Sequence, residues 1–104
     1  MIARLPVFFT RRAGRQIDDA MTWWRENRSK APNALAEDID DALDVISTSP
    51  GVGAIARNVR LPRVRRVFLH RVSYHLYYRV HGSPARRIEV VAFWHSRRGG
   101  NPKI

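Results

Sequence analysis

The residues best equipped for chemistry crowd into the last third of this 104-residue chain. Arg65-Arg66 lies in one apolar run, His75 and Tyr77-Tyr78-Arg79 in a second, and Trp94-His95-Ser96-Arg97-Arg98 closes a third. Guanidiniums grip phosphates in two-pronged contacts, and aromatic rings stack on bases. Such a mixture of arginine, histidine and aromatics suits a face that binds RNA or docks a protein. Other chemistries find less support. The chain has no cysteine, which excludes disulfides and thiolate metal sites. Glu37, Asp38, Asp40, Asp41 and Asp44 are five of the nine acids, but they have no histidine among them and form no Asp-x-Asp-x-Asp-Gly loop. They read as the solvated face of a helix, not as a metal site. The Gly51-x-Gly53 pair lacks a preceding strand and is not read as a phosphate loop. No cofactor and no metal are expected.

Charge sharpens the functional reading. Of 19 basic residues 17 are arginine, and the net charge is +10. Up to Pro50 there are seven basic and eight acidic residues; from Gly51 onward there are twelve basic residues and one acid, Glu89. Such asymmetry calls for an anionic or acidic partner for the second half. The opening stretch, MIARLPVFFTRR, has an apolar patch of only about five residues and no small-residue cleavage site, so a signal peptide is not expected. No apolar run approaches the roughly 20 residues needed to span a bilayer, so no membrane partner is expected and the location is read as cytoplasmic.

The chain must also supply the elements that position these groups. Leu5 to Thr10 reads as a short strand, with Pro6 near its start and Thr10 as the N-cap of a helix from Arg11 to about Arg28. Ala13, Ile17, Ala20, Met21 and Trp24 fall on one face of that helix, and Trp23 sits beside the stripe, capping the core edge. After the polar link Asn27 to Asn33, with Pro32 suited to a first helical turn, Leu35, Ile39, Ala42, Leu43 and Ile46 repeat the spacing. Ser47 to Pro62 ends the second helix and crosses to the next region. From Val64 on, three runs rich in Val, Ile, Phe and Tyr are linked at Arg71–Ser73 and His81–Ala85, which spells an antiparallel meander.

Strict alternation puts Tyr74, Leu76, Tyr78 and Val80 on one face and His75, Tyr77, Arg79 and His81 on the other. On the last strand it groups Ile88, Val90, Ala92 and Trp94 against Arg87, Glu89, Val91, Phe93 and His95, which makes Trp94 a core residue. The expected fold is α+β and a single domain over residues 1–104. An N-terminal strand is followed by an antiparallel helical hairpin, packed on a twisted antiparallel sheet that a C-terminal three-stranded meander completes.

In this order, the segments Tyr74-His75-Leu76-Tyr77-Tyr78-Arg79-Val80 and Ile88-Glu89-Val90-Val91-Ala92-Phe93-Trp94-His95-Ser96-Arg97-Arg98 resemble two strands of the RelE/ParE superfamily. These are bacterial toxins, the toxic halves of type II toxin–antitoxin modules. Arg66 resembles the arginine on the family's first meander strand, and Ser49-Pro50-Gly51 its usual helix terminator. The likeness covers nearly the whole chain. It implies a cognate antitoxin, acidic and partly disordered, that wraps the toxin in a hetero-oligomer. The basic second half fits such a partner independently.

The resemblance implies one of two mechanisms. RelE-like members cut mRNA in the ribosome. On that branch His95 serves as acid or base, Arg66, Arg97 and Arg98 hold the phosphate, and Tyr77 stacks on a base. Yet no tyrosine follows Tyr78, so the C-terminal tyrosine of the best-known cleaving members is missing, as is their lysine-rich stretch. ParE-like members poison DNA gyrase and use no catalytic residues. The closing Trp-His-Ser-Arg-Arg, the long helical hairpin and the lack of an evident acid–base pair resemble this second branch more. On that branch Arg65, Arg66, Tyr77, Arg79, His95, Arg97 and Arg98 are target-binding residues, and His95 docks rather than reacts.

Overall fold

The first helix, α1 (Arg11–Asn27), begins where the sequence asks it to. Thr10 holds an extended backbone, and its hydroxyl accepts the Ala13 N–H at 3.1 Å, satisfying one of the amides that a helix start leaves without a partner. The second helix, α2 (Ala34–Thr48), starts two residues after Pro32, with Asn33 at its cap. All five residues of each apolar stripe join one core cluster. Leu35 and Ile46 are no more than 1% exposed, and each such burial contributes about 1.5–3 kcal/mol. The acids of α2 face outward and serve as anchors. Asp44 pairs with Arg4, while Glu37 and Asp38 take Arg71 at 3.1 and 2.7 Å. The computed structural model describes residues 4–104; the first three residues of the stretch read as lacking a signal peptide lie outside the described residues.

The helices pack on a five-stranded sheet made of β1 (Val7–Phe9), β2 (Ala54–Ile55), β3 (Val64–Leu69), β4 (Tyr74–His81) and β5 (Arg87–His95), in the order β1-β5-β4-β3-β2. The meander is antiparallel throughout, but β1 runs parallel to β5, with Val7 opposite Ile88 and Phe9 opposite Val90. The sheet is therefore mixed, not antiparallel as expected from the sequence. A parallel pair needs a long crossover, and everything between β1 and β5 supplies it. Strand β2 went unread because two residues cannot display an alternation. No helix among the described residues is long and apolar enough to cross a membrane.

One irregularity decides which side chains face where. Tyr77 pairs with Ala92 and Tyr78 with Val90, which leaves Val91 as an extra residue, a β-bulge in β5. Strict alternation breaks there. Ile88, Val90 and Phe93 pack with the helices, whereas Val91, Ala92 and Trp94 join a second cluster with Ala56, Val64 and Tyr77. The expectation that Trp94 shares a face with Ile88 and Val90 is thus corrected, as is the grouping of Phe93 and His95 with Val91. In the unbroken apolar run Val90-Val91-Ala92-Phe93-Trp94, the sequence offers no mark of an added residue. The outer face is not bare either. Val59, Leu61 and Ile104 cover part of it, and the backbone N–H groups of Arg60 and Leu61 donate to Ile104 at 3.0 and 3.1 Å.

Candidate functional site

The seven residues singled out from the sequence are divided between the two faces of the sheet. On the helix side, β5 ends in His95, whose ring meets that of Tyr74 edge-on at 4.9 Å. Tyr74 stacks in turn on Phe93 at 4.5 Å, nearly coplanar. The Nδ1 of His95 accepts the backbone N–H of Arg97 at 3.1 Å. In the neutral ring the remaining proton then sits on Nε2, a donor. Burial, and after it the guanidiniums of Arg97 and Arg28, hold the His95 pKa below its ordinary value. Its neighbours across the gap are Trp23, Trp24 and Arg28 at the end of α1, which together with the β3–β4 turn form a cleft of about 540 Å³.

Arg66 lies on the other face. Its Nη1 reaches the Tyr77 hydroxyl at 3.5 Å. Tyr77 is only 1% exposed and its hydroxyl accepts from Asn58 Nδ2 at 3.0 Å, so its ring is packed away rather than offered to a base. The histidine beside Arg66 is His75, not His95. Burial and then Arg66 hold the His75 pKa down, its ring lies 4.8 Å from that of Phe68, and its Nδ1 is buried without a hydrogen-bond partner. The trio His95, Arg97 and Arg66 that the cleavage reading requires is therefore not assembled: the first two share one side of the sheet and the third lies on the other.

The other arginines have local occupations. Arg65 donates to the Gly53 carbonyl at 2.7 Å and so clamps the turn before β2. Arg79 and His81 share the carboxylate of Glu89 at 3.5 and 2.9 Å. Arg98 lies over the Trp94 ring, 3.9 Å from its centroid, an arrangement attractive to a cation. Sequence reasoning left three contributors out of the site, His75, Trp23 and Arg28. His75 was visible in the β4 alternation, on the same face as Tyr77. Trp23 and Arg28 were not, because only the fold brings the end of α1 to the end of β5.

The fold has counterparts among known proteins. No curated protein matches the chain. The solved structures that share its fold include the following three. The chromosomal ParDE toxin–antitoxin system of P. aeruginosa is 22% identical, with a TM-score of 0.67 over 88% of this chain and 96% of that one. The YoeB dimer of Staphylococcus aureus is 16% identical, with a TM-score of 0.56 over 89% and 98%. The isolated RelE toxin of E. coli is 18% identical, with a TM-score of 0.51 over 93% and 88%. One family profile, "ParE toxin of type II toxin-antitoxin system, parDE", matches residues 7–99. A match over that span, on a sheet and helical hairpin of the same kind, identifies the chain as a member of the ParE toxin family of type II toxin–antitoxin systems.

Proposed function

We propose that this toxin arrests growth by binding and poisoning DNA gyrase, without chemistry of its own, and that an acidic, partly disordered antitoxin neutralises it. The site is proposed to act in the cytoplasm. The observation that carries the reading is the separation of His95 from Arg66. Cleavage of a phosphodiester needs a proton-transfer group and a cation at the same phosphate. His95 instead has Nδ1 occupied by a backbone amide and its ring set against Tyr74. It suits a docking residue at a strand end, flanked by the exposed Arg97 and Arg98. Purified toxin added to a gyrase supercoiling reaction is expected to abolish supercoiling and to accumulate linear plasmid. Undisturbed gyrase, from protein that arrests growth in cells, overturns the reading.

A second reading rests on the outer face, where His75 lies beside Arg66 and Phe68 and within 6.2 Å of the Tyr77 ring. Imidazole next to guanidinium is a pairing suited to cutting RNA on the ribosome. It predicts codon-specific breaks in translated mRNA that His75→Ala removes and His95→Ala leaves. Primer extension on mRNA from induced cells separates the two readings.

A further inference from the structure

The cleft between the end of α1 and the end of β5 holds positive charge that nothing nearby cancels. Its walls carry Trp23, Trp24, Arg28, Tyr74, His95 and Arg97, with the Arg71–Ser73 turn at the rim, and no carboxylate lines it. Arg71 is already committed to Glu37 and Asp38. Arg28 and Arg97 have no carboxylate within ion-pair distance among the described residues. Arg28 is held in place nonetheless. Its guanidinium lies 5.0 Å from the Trp23 ring centroid and 5.9 Å from that of Trp24, and its Nη1 donates to the Asn27 carbonyl at 3.0 Å. The remaining N–H groups are left for a ligand. Trp23 itself is 43% exposed, an unusual state for so large an apolar ring.

We propose that this cleft is a nucleotide-binding site: Arg28, Arg97 and the Nε2–H of His95 take the phosphate, and Trp23 receives the base. Each part answers a known recognition chemistry. Guanidiniums match phosphate oxygens in paired hydrogen bonds. A base stacks on an exposed indole whatever its identity. A cleft of about 540 Å³ lies within the roughly 300–1,000 Å³ of small-ligand sites. It is bounded by the Arg71–Ser73 turn, the end of α1 and the end of β5. The nucleotide is either free or the 5′-phosphorylated end of a strand; the chemistry is common to both. Binding here does not depend on whether gyrase is the target.

The test is NMR titration of the full-length chain in about 0.15 M salt, where weak surface attraction is largely screened. The indole N–H of Trp23 and the ring protons of His95 are followed against adenosine monophosphate, inorganic phosphate, adenosine and a 5′-phosphorylated trinucleotide. Adenosine monophosphate is expected to shift both residues saturably, and inorganic phosphate to bind at least about tenfold more weakly, the loss of one stacked base. Adenosine should give no saturable shift. Arg28→Gln should weaken the monophosphate at least about tenfold, the loss of a charge-assisted contact. Trp23→Leu should reduce it to the level of inorganic phosphate; both residues are exposed, so the fold is expected to survive. Tighter binding of the trinucleotide would identify a strand end as the source, and tighter binding of the monophosphate a free nucleotide. Equal binding of adenosine and its monophosphate overturns the proposal, as does unchanged affinity in Arg28→Gln and Arg97→Gln. A tetraglutamate peptide that displaces the monophosphate at equal concentration would also overturn it, in favour of an acidic protein segment.

Discussion

Tyr78 shows how much one side chain can organise. Its hydroxyl donates to the Pro50 carbonyl at 2.7 Å and accepts the Gly53 N–H at 2.9 Å, pinning the segment after α2 to the middle of the sheet. Gly53 is glycine because a Cβ there would sit 2.7 Å from that hydroxyl. Tyr78→Phe leaves both backbone groups without a partner in a buried place and is expected to cost about 1–3 kcal/mol, read as a lower urea midpoint with an unchanged slope. The histidines give a second expectation. Burial first, then Arg66 for His75 and Arg97 with Arg28 for His95, hold both pKa values below the ordinary 6.5. The unfolded chain then takes up these protons first as pH falls. Their contribution to stability is complete above the unfolded value and declines as pH drops through it. The urea midpoint should fall between about pH 7.5 and about pH 5.5, and a His75→Gln, His95→Gln double variant should flatten that slope. Equal slopes would mean that neither ring is held neutral by the fold. None of these pairings was legible in the sequence. Tyr78 and Gly53 are 25 residues apart, and a hydroxyl's partner over that distance leaves no trace in local pattern.

The helices were the legible elements. Their stripes recur at helical spacing, Thr10 marks a start, and burial of the apolar face needs only that the face exist. Ile46→Ala, at a fully buried position of α2, should cost about 2–5 kcal/mol by opening a cavity, measurable as a lower thermal midpoint. The strands were legible as runs but not as faces. The period of two is reliable only while the ladder is regular, and the Val91 bulge resets it. Deleting Val91 tests this directly. It removes the extra residue, so regular alternation alone keeps Val90, Phe93 and His95 on the helix side and Ala92 and Trp94 on the outer face. The deletion variant is expected to keep a cooperative circular-dichroism melt while losing the burial of one valine, about 1.5–3 kcal/mol. A melt without cooperativity would mean that the faces of β5 are not set by alternation reset at this one residue. Strand β2 and the parallel β1–β5 pairing escaped for a different reason: partner choice in a sheet is a property of the whole chain and leaves little local signature.

At the scale of the molecule, charge was the most informative quantity, because it sums over the chain and needs no register. The acids gather on α2, where they anchor Arg4 and Arg71, and the second half is left strongly positive. What the charge did not convey was distribution over faces. It is the fold that separates Arg66 and His75 from Arg97, His95 and Arg28. The exposed pair after β5, Arg97 and Arg98, is proposed to belong to target binding. Arg97→Ala with Arg98→Ala removes two guanidiniums and one stacking contact on Trp94, a loss of about 0.5–1 kcal/mol in stability. Gyrase inhibition should weaken at least about tenfold, as for loss of a central arginine at an interface. Full toxicity in a stably folded double variant would remove this tail from the mechanism.

The most direct measurement is the gyrase reaction itself, with the purified toxin, relaxed plasmid and ATP. The products are resolved for supercoiled and linear DNA, and a parallel reaction contains antitoxin. Poisoning of gyrase predicts loss of supercoiling together with trapped linear plasmid, both reversed by the antitoxin and both unaffected by His75→Ala. Normal supercoiling at toxin concentrations that halt growth in cells would contradict it and direct attention to His75 and Arg66 on the outer face.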